Sequence, residues 1–167
     1  MTSESTDLTL LHLAQELGAH LAERGWTVAT AESCTGGGIA AAITEVPGSS
    51  AWFGTGLVTY ANEAKSRLLG VEPPLIERFG AVSREVVEQM ALGARRVAGA
   101  DLAVAVSGIA GPDGGTRDKP VGTVWLAWAG PDESVVSECY VYQGGRAQVR
   151  RQACVTALRE LLNLCKH

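Results

Sequence analysis

A chain of 167 residues, 46% of them hydrophobic, can bury one sizeable core but is short for two, so one domain spanning 1–167 is expected. The formal net charge of -4 argues against a protein that works by neutralising nucleic-acid phosphates. No apolar run reaches the roughly 18 residues of a membrane span, and Met-Thr-Ser-Glu-Ser-Thr-Asp lacks the basic and apolar parts of a leader. These features predict a soluble, cytoplasmic protein with no nucleic-acid or membrane partner.

In chain order, Leu8, Leu11, Leu13, Ala14, Leu17 and Leu21 recur at helical spacing and Gly25 punctuates their end, which predicts an amphipathic helix. Residues 26–31 are β-rich and run into Glu32-Ser33-Cys34-Thr35-Gly36-Gly37-Gly38, followed by the apolar 39–46: strand, glycine-rich turn, helix. Pro47-Gly48-Ser49-Ser50 breaks that helix. A second strand is expected at 56–60 and a short helix at 63–69, ended by Gly70, with Pro73-Pro74 as an interruption. Ser83 is placed to cap a long helix carrying Val86, Val87, Met90, Ala91, Ala94 and Val97 on one side. The apolar run 101–106 reads as a central strand covered on both faces, and the glycine- and proline-rich 108–120 as a loop. Two β-like runs, 121–129 and 135–142, flank a Gly-Pro-Asp-Glu turn and predict an antiparallel hairpin. A last helix runs through Val149, Ala153, Ala157, Leu161 and Leu164.

This order predicts an α/β fold, a three-layer α/β/α arrangement with a mixed, partly parallel sheet and a C-terminal antiparallel hairpin. Ligands in such folds gather beyond the carboxyl ends of strands, which directs attention to the turns after the first and third strands. The apolar hairpin with Trp125 and Trp128 suits packing between subunits as well as within one, so a homo-oligomer stays open.

The turn 32–38 joins a strand to a helix, where free N–H groups and two hydroxyls suit a phosphate; the alternative is a plain tight turn with Ser33 or Thr35 as helix cap. Pro47-Gly48-Ser49-Ser50 exposes hydroxyls in a turn. Lys65, if desolvated, can lose its proton and serve a serine as base. The loop from Ser107 and Gly108 follows the most buried strand and reads as ligand-binding. Arg146, Arg150 and Arg151 open the last helix, and one of them suits a phosphate or carboxylate. Cys34, Cys139, Cys154 and Cys165 form no CxxC pair and read as shielded free thiols. His12 and His20 lie in the first helix and His167 ends the chain, so neither a Ser-His-Asp triad nor a histidine metal site is expected. Serine with lysine or tyrosine is left as nucleophile and base, with no metal and no cofactor.

Five motifs in order carry a likeness: Ala31-Glu32-Ser33-Cys34-Thr35-Gly36-Gly37, Pro47-Gly48-Ser49-Ser50-Ala51-Trp52-Phe53, Val58-Thr59-Tyr60-Ala61-Asn62-Glu63-Ala64-Lys65, Gly80-Ala81-Val82-Ser83, and Ser107 to Gly115 with Lys119-Pro120-Val121-Gly122-Thr123-Val124. Over nearly its whole length the chain resembles the C-terminal domain family of the competence/damage-inducible protein CinA, whose stand-alone members are nicotinamide-nucleotide amidohydrolases. The resemblance implies hydrolysis of nicotinamide mononucleotide to nicotinic acid mononucleotide and ammonia, a salvage step run by a Ser/Lys dyad. It implies Ser33, Ser50, Tyr60 and Lys65 as catalytic positions, and Thr35, Gly36, Gly37, Asn62, Ser107, Gly108 and Arg146 as substrate-binding ones. Family members often carry Gly-Asp-Arg where this chain has Gly144-Gly145-Arg146. Ser50 is preferred as nucleophile because Ser33 and Thr35 suit the phosphate, with Ser33 as the alternative. Two other functions remain open: a non-catalytic partner module, and an amidase for another nucleotide-like amide.

Overall fold

The structure is a computed structural model and describes residues 2–167. In chain order its elements are α1 (Ser3–Arg24), β1 (Val28–Glu32), α2 (Gly38–Thr44), a 3-10 turn (Ser49–Ala51), β2 (Phe53–Val58), α3 (Asn62–Leu69), α4 (Pro73–Phe79), α5 (Arg84–Ala98), β3 (Leu102–Gly108), β4 (Thr123–Ala129), β5 (Val135–Val141) and α6 (Arg146–Lys166). The five strands form one sheet in the order β2-β1-β3-β4-β5. β1 runs parallel to β2 and β3, whereas the β3–β4 and β4–β5 pairs are antiparallel, so the expected mixed sheet ends in the expected hairpin.

Alternation along the strands divides the two faces by size. Val28, Leu102, Val104, Val106, Val124, Leu126 and Trp128 pack against residues of α1, α2 and α6. Ala29, Ala31, Ala103, Ala105, Ala127 and Ala129 point the other way and meet Val86, Val87, Met90, Ala91 and Ala94 of α5. A floor of methyl groups lets α5 lie close to the sheet, while α3 and α4 cover α5 through Leu69 and Ile76. Close approach recurs at Gly93 of α5, where an added Cβ would sit 2.0 Å from the carbonyl oxygen of Leu69.

Helix ends follow local chemistry. Ser83 Oγ accepts from the Val86 N–H, and Gly25 closes α1 in the left-handed region, at φ 66°. Pro73-Pro74 does not interrupt the chain but opens α4, because the first helical positions have no hydrogen bond for a proline to lose. Leu8 and Val97, assigned to buried helix faces, are 65% and 56% exposed. Cys34, Cys154 and Cys165 are buried free thiols, but Cys139 is exposed on the edge strand β5. Trp128 is committed to this chain's own core, its Nε1 donating to the Ala157 carbonyl at 3.1 Å; Trp125 lies under the Arg84 guanidinium. Among the described residues no helix is long and apolar enough to cross a membrane.

Candidate active site

The carboxyl ends of β1, β2 and β3 lie side by side, with Glu32 in register with both Val58 and Val106. The next residues stay paired: Ser33 N–H donates to the Val106 carbonyl at 3.1 Å, and Thr59 N–H to the Glu32 carbonyl at 2.8 Å. Ser33, Thr59 and Ser107, which are far apart in sequence, therefore share one corner, and all three are buried.

Lys65 enters this corner from the first turn of α3 and is 1% exposed. Its Nζ donates to the carbonyls of Thr59 (2.8 Å) and Tyr60 (3.3 Å) and lies 3.2 Å from Ser33 Oγ. Burial disfavours the charged amine and lowers its pKa from the usual lysine value, against a smaller opposing influence of the nearby Cys34. In the neutral amine the two carbonyls engage two hydrogens, which leaves the lone pair directed at Ser33. That is the geometry of a base poised on a hydroxyl. Cys34 does not compete as nucleophile, because burial pushes its thiol up to about 11 and keeps it protonated.

The preference for Ser50 finds no geometric support. Ser50 is exposed in the 3-10 turn before β2, whereas Lys65 lies beyond the other end of that strand. Six residues of extended chain separate those ends by roughly 17 Å. The structure brings Ser33 to Lys65 and leaves Ser50 outside the corner.

At the turn 32–38 an internal carboxylate takes the place where a phosphate was expected. The Glu32 carboxylate, 1% exposed, accepts from Thr35 Oγ1 (2.6 Å) and from the N–H groups of Ile39 (2.8 Å) and Ala40 (3.0 Å). The start of α2 is thus occupied by the protein's own anion, and neither Ser33 nor Thr35 caps the helix. Thr35, 2% exposed, directs its hydroxyl inward. Gly36 and Gly37 bend the turn at φ 60° and 100°, conformations a side chain would resist.

The mouth of the corner is built from three segments. Tyr60 is 61% exposed, and its hydroxyl accepts from Arg146 at 3.1 Å. Arg146 also donates to the Gly111 carbonyl at 2.8 Å, linking the loops after β2 and β3 to the start of α6. Asn62 is exposed at the head of α3. Gly108 ends β3 where a Cβ would strike Val124 at 2.6 Å, so a packing demand accounts for this glycine.

Two residues that hold the turn are not assigned that part from sequence. Glu32 stands in sequence only as part of a motif, although a carboxylate at the end of a buried strand must have partners nearby. Arg150 is one of three arginines expected to suit a phosphate or carboxylate, and in the structure its Nε and NH2 donate to the carbonyls of Cys34 (3.0 Å) and Thr35 (3.2 Å). Among the described residues no group of three or more His, Cys, Asp or Glu side chains is placed to hold a metal ion.

Comparison with known proteins agrees with this architecture. A family model described as the CinA C-terminal domain matches residues 10–165. The nicotinamide-nucleotide amidohydrolase PncC of Pseudomonas putida is 59% identical over 152 residues, covering 91% of this chain and 94% of that protein. A CinA-like protein from Geobacter sp. (strain M21) is 60% identical over 141 residues, which are 84% of this chain but 34% of that longer protein. The crystal structure of competence/damage inducible protein CihA from Agrobacterium tumefaciens superposes with a TM-score of 0.91 at 45% identity, covering 93% of this chain and 95% of that one. In its motifs and its fold the chain belongs to the CinA C-terminal domain family.

Proposed function

We propose that this chain, acting as a single cytoplasmic domain, hydrolyses the carboxamide of nicotinamide mononucleotide to nicotinic acid mononucleotide and ammonia, with Ser33 as nucleophile and Lys65 as base. The observation that carries the reading is the buried Lys65 Nζ, 3.2 Å from Ser33 Oγ with two carbonyls on its other hydrogens. Lys65 takes the Ser33 proton as Oγ attacks the amide carbon, and returns it to the nitrogen as the C–N bond breaks and ammonia leaves. Water, deprotonated by the same amine, then attacks the acyl-serine. The ester C–O bond breaks, Ser33 regains its proton and the acid is released. The cationic pyridinium ring withdraws electrons from the amide, which lowers the activation the enzyme must supply. Arg146, held at the mouth beside Tyr60, brings positive charge toward the nucleotide phosphate. Each step uses protein side chains and water, with no metal or cofactor.

The test is ammonia release from nicotinamide mononucleotide by the purified wild type and by the Ser33→Ala, Lys65→Ala and Ser50→Ala variants. Ser33→Ala and Lys65→Ala should lose turnover by a factor on the order of 10³ or more, and Ser50→Ala should stay within about twofold of wild type. A folded wild type that releases no ammonia, or a Ser50→Ala variant as inactive as Ser33→Ala, would sink the assignment. A panel of other nucleotide-like amides decides the substrate class.

A further inference from the structure

Arg150 is separated from the turn after Ser33 by more than a hundred residues of sequence, yet it reaches that turn with two donors. Nε binds the carbonyl of Cys34 at 3.0 Å and NH2 the carbonyl of Thr35 at 3.2 Å, a fork set on two consecutive peptide units. The guanidinium packs so near the backbone that a Cβ on Gly36 would lie 3.2 Å from its NH2. The side chain is half-buried, where a merely solvating arginine would extend into water.

The consequence follows from peptide geometry. In a trans peptide unit the N–H points opposite to the C=O, so a Cys34 carbonyl drawn toward Arg150 turns the Thr35 N–H away from it. The following unit shows where that direction leads. The Thr35 carbonyl also faces Arg150, and the Gly36 N–H donates to the Ser33 carbonyl at 3.0 Å. The side away from the guanidinium is therefore the side of the Ser33 carbonyl. Among the described residues the Thr35 N–H donates to no protein acceptor, while Glu32 fixes the hydroxyl of the same residue.

We propose that Arg150 is a positioning residue for amide hydrolysis, holding the Cys34 and Thr35 carbonyls so that the Thr35 N–H faces the oxyanion formed when Ser33 attacks. The proposal rests on the amidohydrolase reading and adds a donor and its support to it. A backbone donor aimed in advance at developing charge acts on the transition state more than on the bound substrate. The expected signature is a loss in kcat with KM nearly unchanged.

The experiment compares wild type, Arg150→Ala and Arg150→Lys for turnover of nicotinamide mononucleotide, with and without millimolar guanidinium, and for hydrogen exchange of the amides in 33–40. Arg150→Ala should lose roughly 10- to 100-fold in kcat, as expected when a catalytic group shifts by a fraction of an ångström to an ångström. Added guanidinium should restore part of that loss but none of the loss in Ser33→Ala. Arg150→Lys should recover only part, since one ammonium cannot fork two carbonyls, and it carries the comparison if the alanine variant does not fold. Amides 33–40 should exchange faster in both variants. A folded variant with unchanged kcat, or one whose whole defect is in KM, overturns the proposal. Wild type without ammonia release defeats the amidohydrolase reading instead, and unchanged exchange in the variants then overturns the clamp independently.

Discussion

Replacing Glu32 by glutamine changes one atom of a carboxylate and should unsettle the whole turn that carries Ser33. Oε1 accepts from the Thr35 hydroxyl and the Ile39 N–H, and Oε2 from the Ala40 N–H. A glutamine can keep its oxygen at the first position, but its NH2 then meets the Ala40 N–H, donor against donor, where the side chain of residue 32 is 1% exposed. Leaving that N–H unsatisfied costs about 1–3 kcal/mol, and losing negative charge at the start of α2 about 0.3–1 kcal/mol more. The sum, about 1–4 kcal/mol, lowers Tm by about 3–12 °C for a chain of this length. Calorimetric melts of wild type and Glu32→Gln check the figure, with turnover measured well below either transition. A variant that melts within about 2 °C of wild type would refute the argument that the carboxylate, and not mere shape, holds α2 to β1.

Three further outcomes are expected. Because burial lowers the Lys65 pKa, turnover should rise with pH as the amine loses its proton, and Lys65→Met should lack that limb. The sign for stability is the same: between the lowered folded value and the ordinary 10.5 the unfolded chain binds more protons, so stability rises with pH there, and Lys65→Met should flatten the rise in pH-dependent melts. Gly93→Ala places a Cβ 2.0 Å from the Leu69 carbonyl, an overlap costing about 1–3 kcal/mol or more and exceeding the ~1 kcal/mol gain in helix propensity. Gly54→Ala, whose Cβ would meet nothing within 4 Å, is the control, and equal denaturant midpoints for the two would contradict the packing described.

The continuous apolar run 101–106 and the Gly-Pro-Asp-Glu turn were enough to read a central strand and a hairpin, because both depend on local chemistry. Pro73-Pro74 was misread because a proline's meaning depends on whether it stands inside a helix or at its start, and only the neighbouring packing decides that. Lys65 was legible as a candidate base through its motif. Its partner was not, since Ser50 and Ser33 are both serines in glycine-containing turns, and only the parallel pairing of β1 with β2 brings residue 33 to the end of the strand that Lys65 follows. Arg150 was legible as a fork of donors but not by its partners, for a related reason: a contact across more than a hundred residues leaves no local trace beyond an arginine beside the buried Val149.

The alanine floor under α5 has a consequence for chemistry some distance away. α5 holds α3 through the contact at Gly93, and α3 carries Lys65. Enlarging Ala103 or Ala105 would lift α5 from the sheet, carry α3 with it and draw the amine off the hydroxyl, while Ser33 stayed with β1. The reach between the Lys65 amine and the Ser33 hydroxyl is thus gauged by missing side-chain volume beneath a helix that touches neither group.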